Sequence, residues 1–165
     1  ADMKERDNSA VKMREIFRPL EPACLREHAD AWFDLSGLGE SPHMLFTVPV
    51  REARRHQIPA VTHVDGSARV QTVSREDDPR FHALLRAFHE LTSVPVLLNT
   101  SFNVNGEPIV SSPDDAIRCF LGTNIDLLVI GDTAIEKRTD VAQRARQGDE
   151  PVTAHAARTS AEGAV

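Results

Sequence analysis

Asn99-Thr100-Ser101-Phe102-Asn103 puts four small polar side chains into five positions, directly after the apolar run Val96-Leu97-Leu98. Each can donate or accept hydrogen bonds, and a dry strand delivering such a cluster suits the wall of a small-ligand site. The same residues also end strands and make turns with no ligand involved, and Asn105-Gly106 is itself a turn signal because both residues tolerate positive φ. A second group is cationic. Arg14 and Arg18 share a face whether their segment is helix or strand, and Lys12 joins them in a strand. Three converging cations suit a phosphorylated ligand, since arginine grips phosphate in a bidentate way. The alternative is a solvated charged face paired with Glu15. His63 and Asp65 fall at the tip of an expected hairpin, where they could orient one another or where Asp65 simply caps the turn. His82 and His89 are seven apart on an expected helix, two turns along it and too distant to hold one metal, and no metal site emerges.

The elements that must position these residues are legible in outline. Val96-Leu97-Leu98 fits a strand covered on both faces. Residues 60–64 and 68–73 suggest a hairpin around Asp65-Gly66, with Arg69 on the face opposite Val70. Asp78-Pro79 opens the clearest helix, whose stripe is Phe81, Leu84, Leu85, Phe88 and Leu91. Ser112 and Asp115 start another, with Ala116, Ile117, Phe120 and Leu121 inward, and residues 126–131 suggest a second buried strand. Residues 23–33 suggest a short helix directing Leu25, Ala29, Trp32 and Phe33 to the core, and 44–50 a strand. Arg51, Arg54, Arg55 and His56 read as a solvated basic loop. Helix, strand, helix, strand from 79 to 130 implies crossovers in a partly parallel sheet, and the hairpin makes that sheet mixed.

With 165 residues the chain suits one domain over 1–140, followed by a disordered tail over 141–165. The net charge of −6 and the lack of a basic stripe argue against nucleic acid as a partner. No apolar run approaches a membrane span, and no signal-peptide pattern opens the chain. Cys24 and Cys119 lie in apolar settings, as expected of reduced core thiols in a cytoplasmic protein. The first residue is Ala, so a fragment or a processed product is one expectation.

Several stretches together resemble the C-terminal domain of the O-carbamoyltransferases that decorate antibiotics and nodulation factors. They are Lys12-Met13-Arg14-Glu15-Ile16-Phe17-Arg18-Pro19, Met44-Leu45-Phe46-Thr47-Val48-Pro49-Val50, the run from Ile58-Pro59 through His63-Val64-Asp65-Gly66 to Ala68-Arg69-Val70-Gln71-Thr72-Val73, Leu98-Asn99-Thr100-Ser101-Phe102-Asn103 and Gly106-Glu107-Pro108-Ile109-Val110. The resemblance is ordered and spans roughly residues 3 to 132. It implies an α/β domain of YrdC-like type, a mixed twisted sheet with flanking helices, incomplete at its N-terminus. It implies further that carbamoyl phosphate and ATP, with Mg2+, give carbamoyl-adenylate and pyrophosphate here. A separate iron-bearing N-terminal domain, absent from this chain, then moves the carbamoyl group to a hydroxyl of a small-molecule acceptor. Carried over position by position, Lys12, Arg18, Arg69 and Ser101 hold the anions. Arg14, Asn99, Thr100, Asn103, His63 and Asp65 are the further candidates for substrate binding. The alternative is a nucleotide- or phosphate-binding module without catalysis of its own. Glu21 stands where the family usually has Ala, which puts a carboxylate beside the expected anion site, and Asp7 replaces an expected apolar residue. The family's arginine-bearing, glycine-rich motif has no counterpart in this sequence.

Overall fold

Glu21–Leu25 (β1) is the strand on which the first part of the fold is built. It runs parallel to β4 (Gln71–Val73), pairing Ala23 with Gln71 and Leu25 with Val73. It runs antiparallel to β5 (Val96–Asn99), pairing Glu21 with Asn99 and Cys24 with Val96. The order β4-β1-β5 makes a mixed sheet, as the resemblance implies. The expected helix over 23–33 is therefore corrected. Only a 3-10 turn, Arg26–His28, and one helical turn, α1 (Ala29–Trp32), follow the strand. Pro22 argues against a central strand, because proline cannot donate to the ladder. Here it lies outside the β4 register, which begins at Ala23, so it needs a partner on one side only.

The computed structural model describes residues 5, 7, 8 and 20–137 and the backbone of 155–158. Among these, 5 and 20–100 belong to one compact unit, and 7, 8, 101–137 and 155–158 to another. The described residues form a mixed α/β structure.

In the first unit two apolar clusters flank the sheet. Leu20, Trp32, Phe33, Val50, Val61, Val70 and Val96 fill one. The other joins Ala23, Leu25 and Val73 to Leu85 of α3 (Pro79–Thr92), with Phe81 and Leu97 against it. Helix α3 starts as its sequence demands: Asp78 accepts the Phe81 N–H, Pro79 occupies the first turn, and Ser93 closes the helix at φ +63°. The expected five-residue stripe does not hold as a buried face. Leu85 is fully buried, but Leu84 is 58% exposed and Leu91 86%. The sheet is narrow, and residues three or four apart span more of the helix circumference than it can cover.

The expected hairpin is half right. Gly66 at φ +81° closes a tight turn in which its N–H meets the His63 carbonyl and the His63 N–H meets that of Ser67. Residues 60–64 form no strand, and Thr62 Oγ donates to the Ile58 carbonyl instead. The short β3 (Ser67–Ala68) pairs with β2 (Val48–Pro49), all that forms of the strand expected over 44–50. The basic loop is also corrected. Glu52–Arg55 is a helical turn, α2, and its arginines are put to structural use. Arg51 Nε–H donates to the Asp30 carbonyl, Arg54 lies 4.8 Å over the Trp32 ring, and Arg55 Nε–H donates to the Val50 carbonyl at 3.1 Å.

In the second unit α4 (Pro113–Gly122) opens with Ser112 accepting the Asp115 N–H while its hydroxyl donates to Asp115 Oδ2 at 2.7 Å. Ala116 and Phe120 are buried against Leu128 and Ile135, with Ile117 and Leu121 beside them, matching the expected inner face. Strand β6 (Leu127–Ile130) pairs antiparallel with β7 (Thr133–Glu136), which pairs in turn with β8 (His155–Arg158). The expectation of a strand buried on both faces is corrected: Leu128 is buried, but Leu127 and Val129 are exposed. Strands β5 and β6 belong to different sheets, so the parallel pairing comes from β1 and β4 rather than from crossovers between 79 and 130. The tail expected to be disordered over 141–165 lies outside the described residues except for the backbone of the four residues of β8.

Candidate functional site

Residues opposite one another in a ladder share a face of the sheet. Leu25 with Val73, Ala23 with Leu97 and Gln71, and Glu21 with Asn99 thus line the face that α3 covers. Along β1 this face runs from apolar beneath Leu85 to polar at Glu21. The polar end gathers three of the candidate residues. Asn99 Nδ2–H donates to Gln71 Oε1 at 2.8 Å. Arg69 is exposed, and its neighbours Ala68 and Val70 are fully buried, so it does point away from them as the alternation predicts. His63 Nε2 stands 3.4 Å from Glu21 Oε2, and Arg69 Nη2 stands 3.5 Å from Glu21 Oε1. The backbone N–H of Arg69 donates to Glu21 Oε2 at 3.1 Å.

The turn before Arg69 is fixed by its own hydrogen bonds. Asp65 Oδ1 accepts from Ser67 Oγ at 2.6 Å and from the Ser67 N–H at 3.0 Å. These bonds, led by the hydroxyl's, hold the Asp65 carboxyl below its ordinary range. His63 Nδ1 is 3.3 Å from the same hydroxyl. Asp65 therefore serves the turn and touches His63 only through Ser67. An added methyl on Gly66 would meet the Arg55 guanidinium at 2.5 Å, so a larger residue there would have to displace the end of that side chain as well as adopt a positive φ.

In the second unit Ser101 and Asn103 bond each other. Ser101 Oγ donates to Asn103 Oδ1 at 2.6 Å, and Asn103 Nδ2–H donates to the Glu107 carbonyl at 2.8 Å. Gly106 at φ +84° supports the turn, in which the Glu107 N–H meets the Val104 carbonyl. These are the bonds of a turn, and Ser101 lies at the surface. Thr100 is half-buried at the end of β5. Lys12, Arg14 and Arg18 lie outside the described residues.

Other titratable groups sit elsewhere in the first unit. His82 Nε2 is 2.9 Å from Glu27 Oε1, and the His28 and His89 rings are 4.6 Å apart. Burial pushes the Glu27 carboxyl up, but the backbone bond and the His82 contact outweigh it and leave it below its ordinary value. Cys24 and Cys119 are buried and unbonded to one another, and burial, with the Glu27 charge, pushes the Cys24 thiol far up. Among the described residues no group of three or more His, Cys, Asp or Glu could hold a metal ion, and no helix is long and apolar enough to cross a membrane.

In the sequence Glu21 stands out only as a departure from the family pattern, not as the residue that joins His63 to Arg69. That contact spans 48 residues and is made across strands that periodicity alone does not pair. The Asn99–Gln71 bond, between residues 28 apart, is hidden in the sequence for the same reason.

The architecture is thus a mixed α/β domain with a cationic and amide-bearing end to one sheet face. The chain belongs to the Carbamoyltransferase C-terminus family, whose match covers residues 1–137. It is 50% identical over 139 residues to nodulation protein NolO of Bradyrhizobium diazoefficiens, covering 84% of this chain and 25% of that protein. It is 51% identical over 140 residues to nodulation protein NolNO of Sinorhizobium fredii, covering 84% and 21%. It is 42% identical over 125 residues to the 3'-hydroxymethylcephem-O-carbamoyltransferase of Streptomyces clavuligerus, covering 76% and 23%. The chain spans a quarter or less of the length of these relatives.

Proposed function

We propose that this chain is the C-terminal part of an O-carbamoyltransferase, and that it binds carbamoyl phosphate and ATP to form carbamoyl-adenylate. Atom balance sets the chemistry. Water releases inorganic phosphate from carbamoyl phosphate and leaves carbamate. A carbamate oxygen then attacks the α-phosphorus of ATP, the bond to the β-phosphate oxygen breaks, and pyrophosphate leaves. A further domain would transfer the carbamoyl group from the adenylate to an acceptor hydroxyl and release AMP. Carbamoyl phosphate, carbamate and ATP are all anions, so positioning and charge stabilisation carry most of the catalysis. Mg2+ would arrive on the ATP phosphates and neutralise part of their charge.

In this reading Arg69 is the anion-binding side chain of the first unit, with Asn99 as an amide donor beside it and His63 as a second cationic or donor group. Asp65 and Thr100 shape the turn and the strand end, and Ser101 and Asn103 are carried over by resemblance as hydrogen-bonding groups. Lys12, Arg14 and Arg18 are the further cations by resemblance. The observation that carries the reading is family membership over residues 1–137, together with an arginine held at the polar end of a sheet face. The test is ATP–pyrophosphate exchange that depends on carbamoyl phosphate, run on the full chain. Exchange lost in Arg69→Ala and Ser101→Ala supports the proposal, and ligand affinity unchanged in both variants refutes the clamp.

A second reading is favoured by one fact, that the chain spans a quarter or less of its relatives. It is a nucleotide- or phosphate-binding module that catalyses nothing alone. Binding of ATP or carbamoyl phosphate without exchange would establish it.

A further inference from the structure

Glu21 is the carboxylate set against two of the candidate anion-binding side chains. Its side chain is 14% exposed, compared with 48% for Arg69 and 21% for His63. One oxygen takes the Arg69 N–H and faces His63, and the other faces a single guanidinium nitrogen at 3.5 Å. A guanidinium has five N–H donors in a fork, so Glu21 offsets the charge of Arg69 without engaging the whole of it. Holding the backbone N–H requires only an acceptor oxygen, which a neutral amide also supplies. Burying a full negative charge there costs desolvation that the scaffold role does not need.

We propose that Glu21 is an internal counter-charge that selects which phosphates this face accepts, disfavouring free, highly charged ones such as pyrophosphate relative to singly phosphorylated ones. The proposal rests on the reading of Arg69 as an anion-binding residue. The reason is Coulombic. Arg69 and Glu21 nearly cancel, and the repulsion between Glu21 and a ligand grows in proportion to the ligand's charge. In the reaction proposed above, the same charge disfavours retention of pyrophosphate, the more highly charged product.

The test compares wild type, Glu21→Gln, Arg69→Ala and the double variant in calorimetric titrations with inorganic pyrophosphate and with orthophosphate at low ionic strength. Glu21→Gln keeps the shape and the acceptor while removing the charge, and circular dichroism melts confirm that each variant folds. Glu21→Gln is expected to tighten pyrophosphate binding about tenfold and orthophosphate binding by clearly less, as charge-proportional repulsion requires. The gain should shrink near about 0.5 M salt, where screening is short-ranged, and the double variant should bind both ligands more weakly than Glu21→Gln because it lacks the anion-binding side chain. Equal gains for both ligands, no gain, or weaker binding in Glu21→Gln overturns the selection role, the last outcome marking Glu21 as a support for Arg69. If Arg69→Ala alone changes neither affinity, the clamp reading fails and this proposal fails with it. If Arg69→Ala weakens binding but Glu21→Gln does not tighten it, only this proposal fails.

Discussion

Substituting Gly66 by alanine probes the turn that carries His63, Asp65 and Ser67 up to Arg69. The backbone there is at φ +81°, where a left-handed conformation costs an L-residue about 1–2 kcal/mol. The new methyl would also stand 2.5 Å from the central carbon of the Arg55 guanidinium. That group is the far end of a flexible side chain, so it moves rather than the backbone. In moving it gives up the bond from Nε–H to the Val50 carbonyl, a loss of about 0.5–1.5 kcal/mol. Gly66→Ala should therefore destabilise the protein by about 1.5–3.5 kcal/mol in urea unfolding followed by far-ultraviolet circular dichroism. Arg55→Ala separates the two parts. In its background the methyl meets no guanidinium, so the cost of Gly66→Ala should fall by about 0.5–1.5 kcal/mol, leaving the backbone share. A cost below about 0.5 kcal/mol, typical of an unremarkable surface change, would refute the reasoning. So would an equal cost with and without Arg55, which would show that the close approach carries no energy.

Two other outcomes follow from the packing and the electrostatics. Leu85→Ala should cost about 2–5 kcal/mol in the same urea experiment, because Leu85 is fully buried, whereas Leu91→Ala, at 86% exposure, should stay within about 0.5 kcal/mol; equal costs would restore the stripe read from the sequence. The Glu27 carboxyl is held below its unfolded value, so the folded state binds fewer protons there, and the stabilisation is complete above that value and fades as pH falls through the folded one. Glu27→Gln should accordingly flatten the acid limb of stability below about pH 4.5 while leaving its shape near neutrality, as read from thermal melts across pH.

What the sequence conveyed depended on how local the cause was. Asp78-Pro79 and Ser112 with Asp115 gave both helix starts correctly, because a cap is decided within four residues. Asp65-Gly66 and Asn105-Gly106 announced their turns for the same reason, since Gly66 and Gly106 alone supply the positive φ. Strand β1 was hidden. Pro22 and the short span before Arg26 look like a break, and only pairing with strands some 50 and 75 residues further along makes 21–25 extended. Exposure misled in the other direction. Leu84, Leu91, Leu127 and Val129 are apolar and fit the period of their elements, yet a pattern cannot say how much of a face its neighbours cover. At the polar end of the sheet face Arg69 and Asn99 stand out by type, while their long-range links to Glu21 and Gln71 do not.

Trp32 is the chain's single tryptophan, and there is no tyrosine. It is buried in the first unit with the Arg54 guanidinium over its ring. Intrinsic fluorescence excited at the red edge of the aromatic band therefore reports on that unit alone, and the second unit melts without an emission signal of its own. Overlaying the fluorescence transition on the circular dichroism transition would reveal whether the two units unfold together or one after the other, without attaching any label.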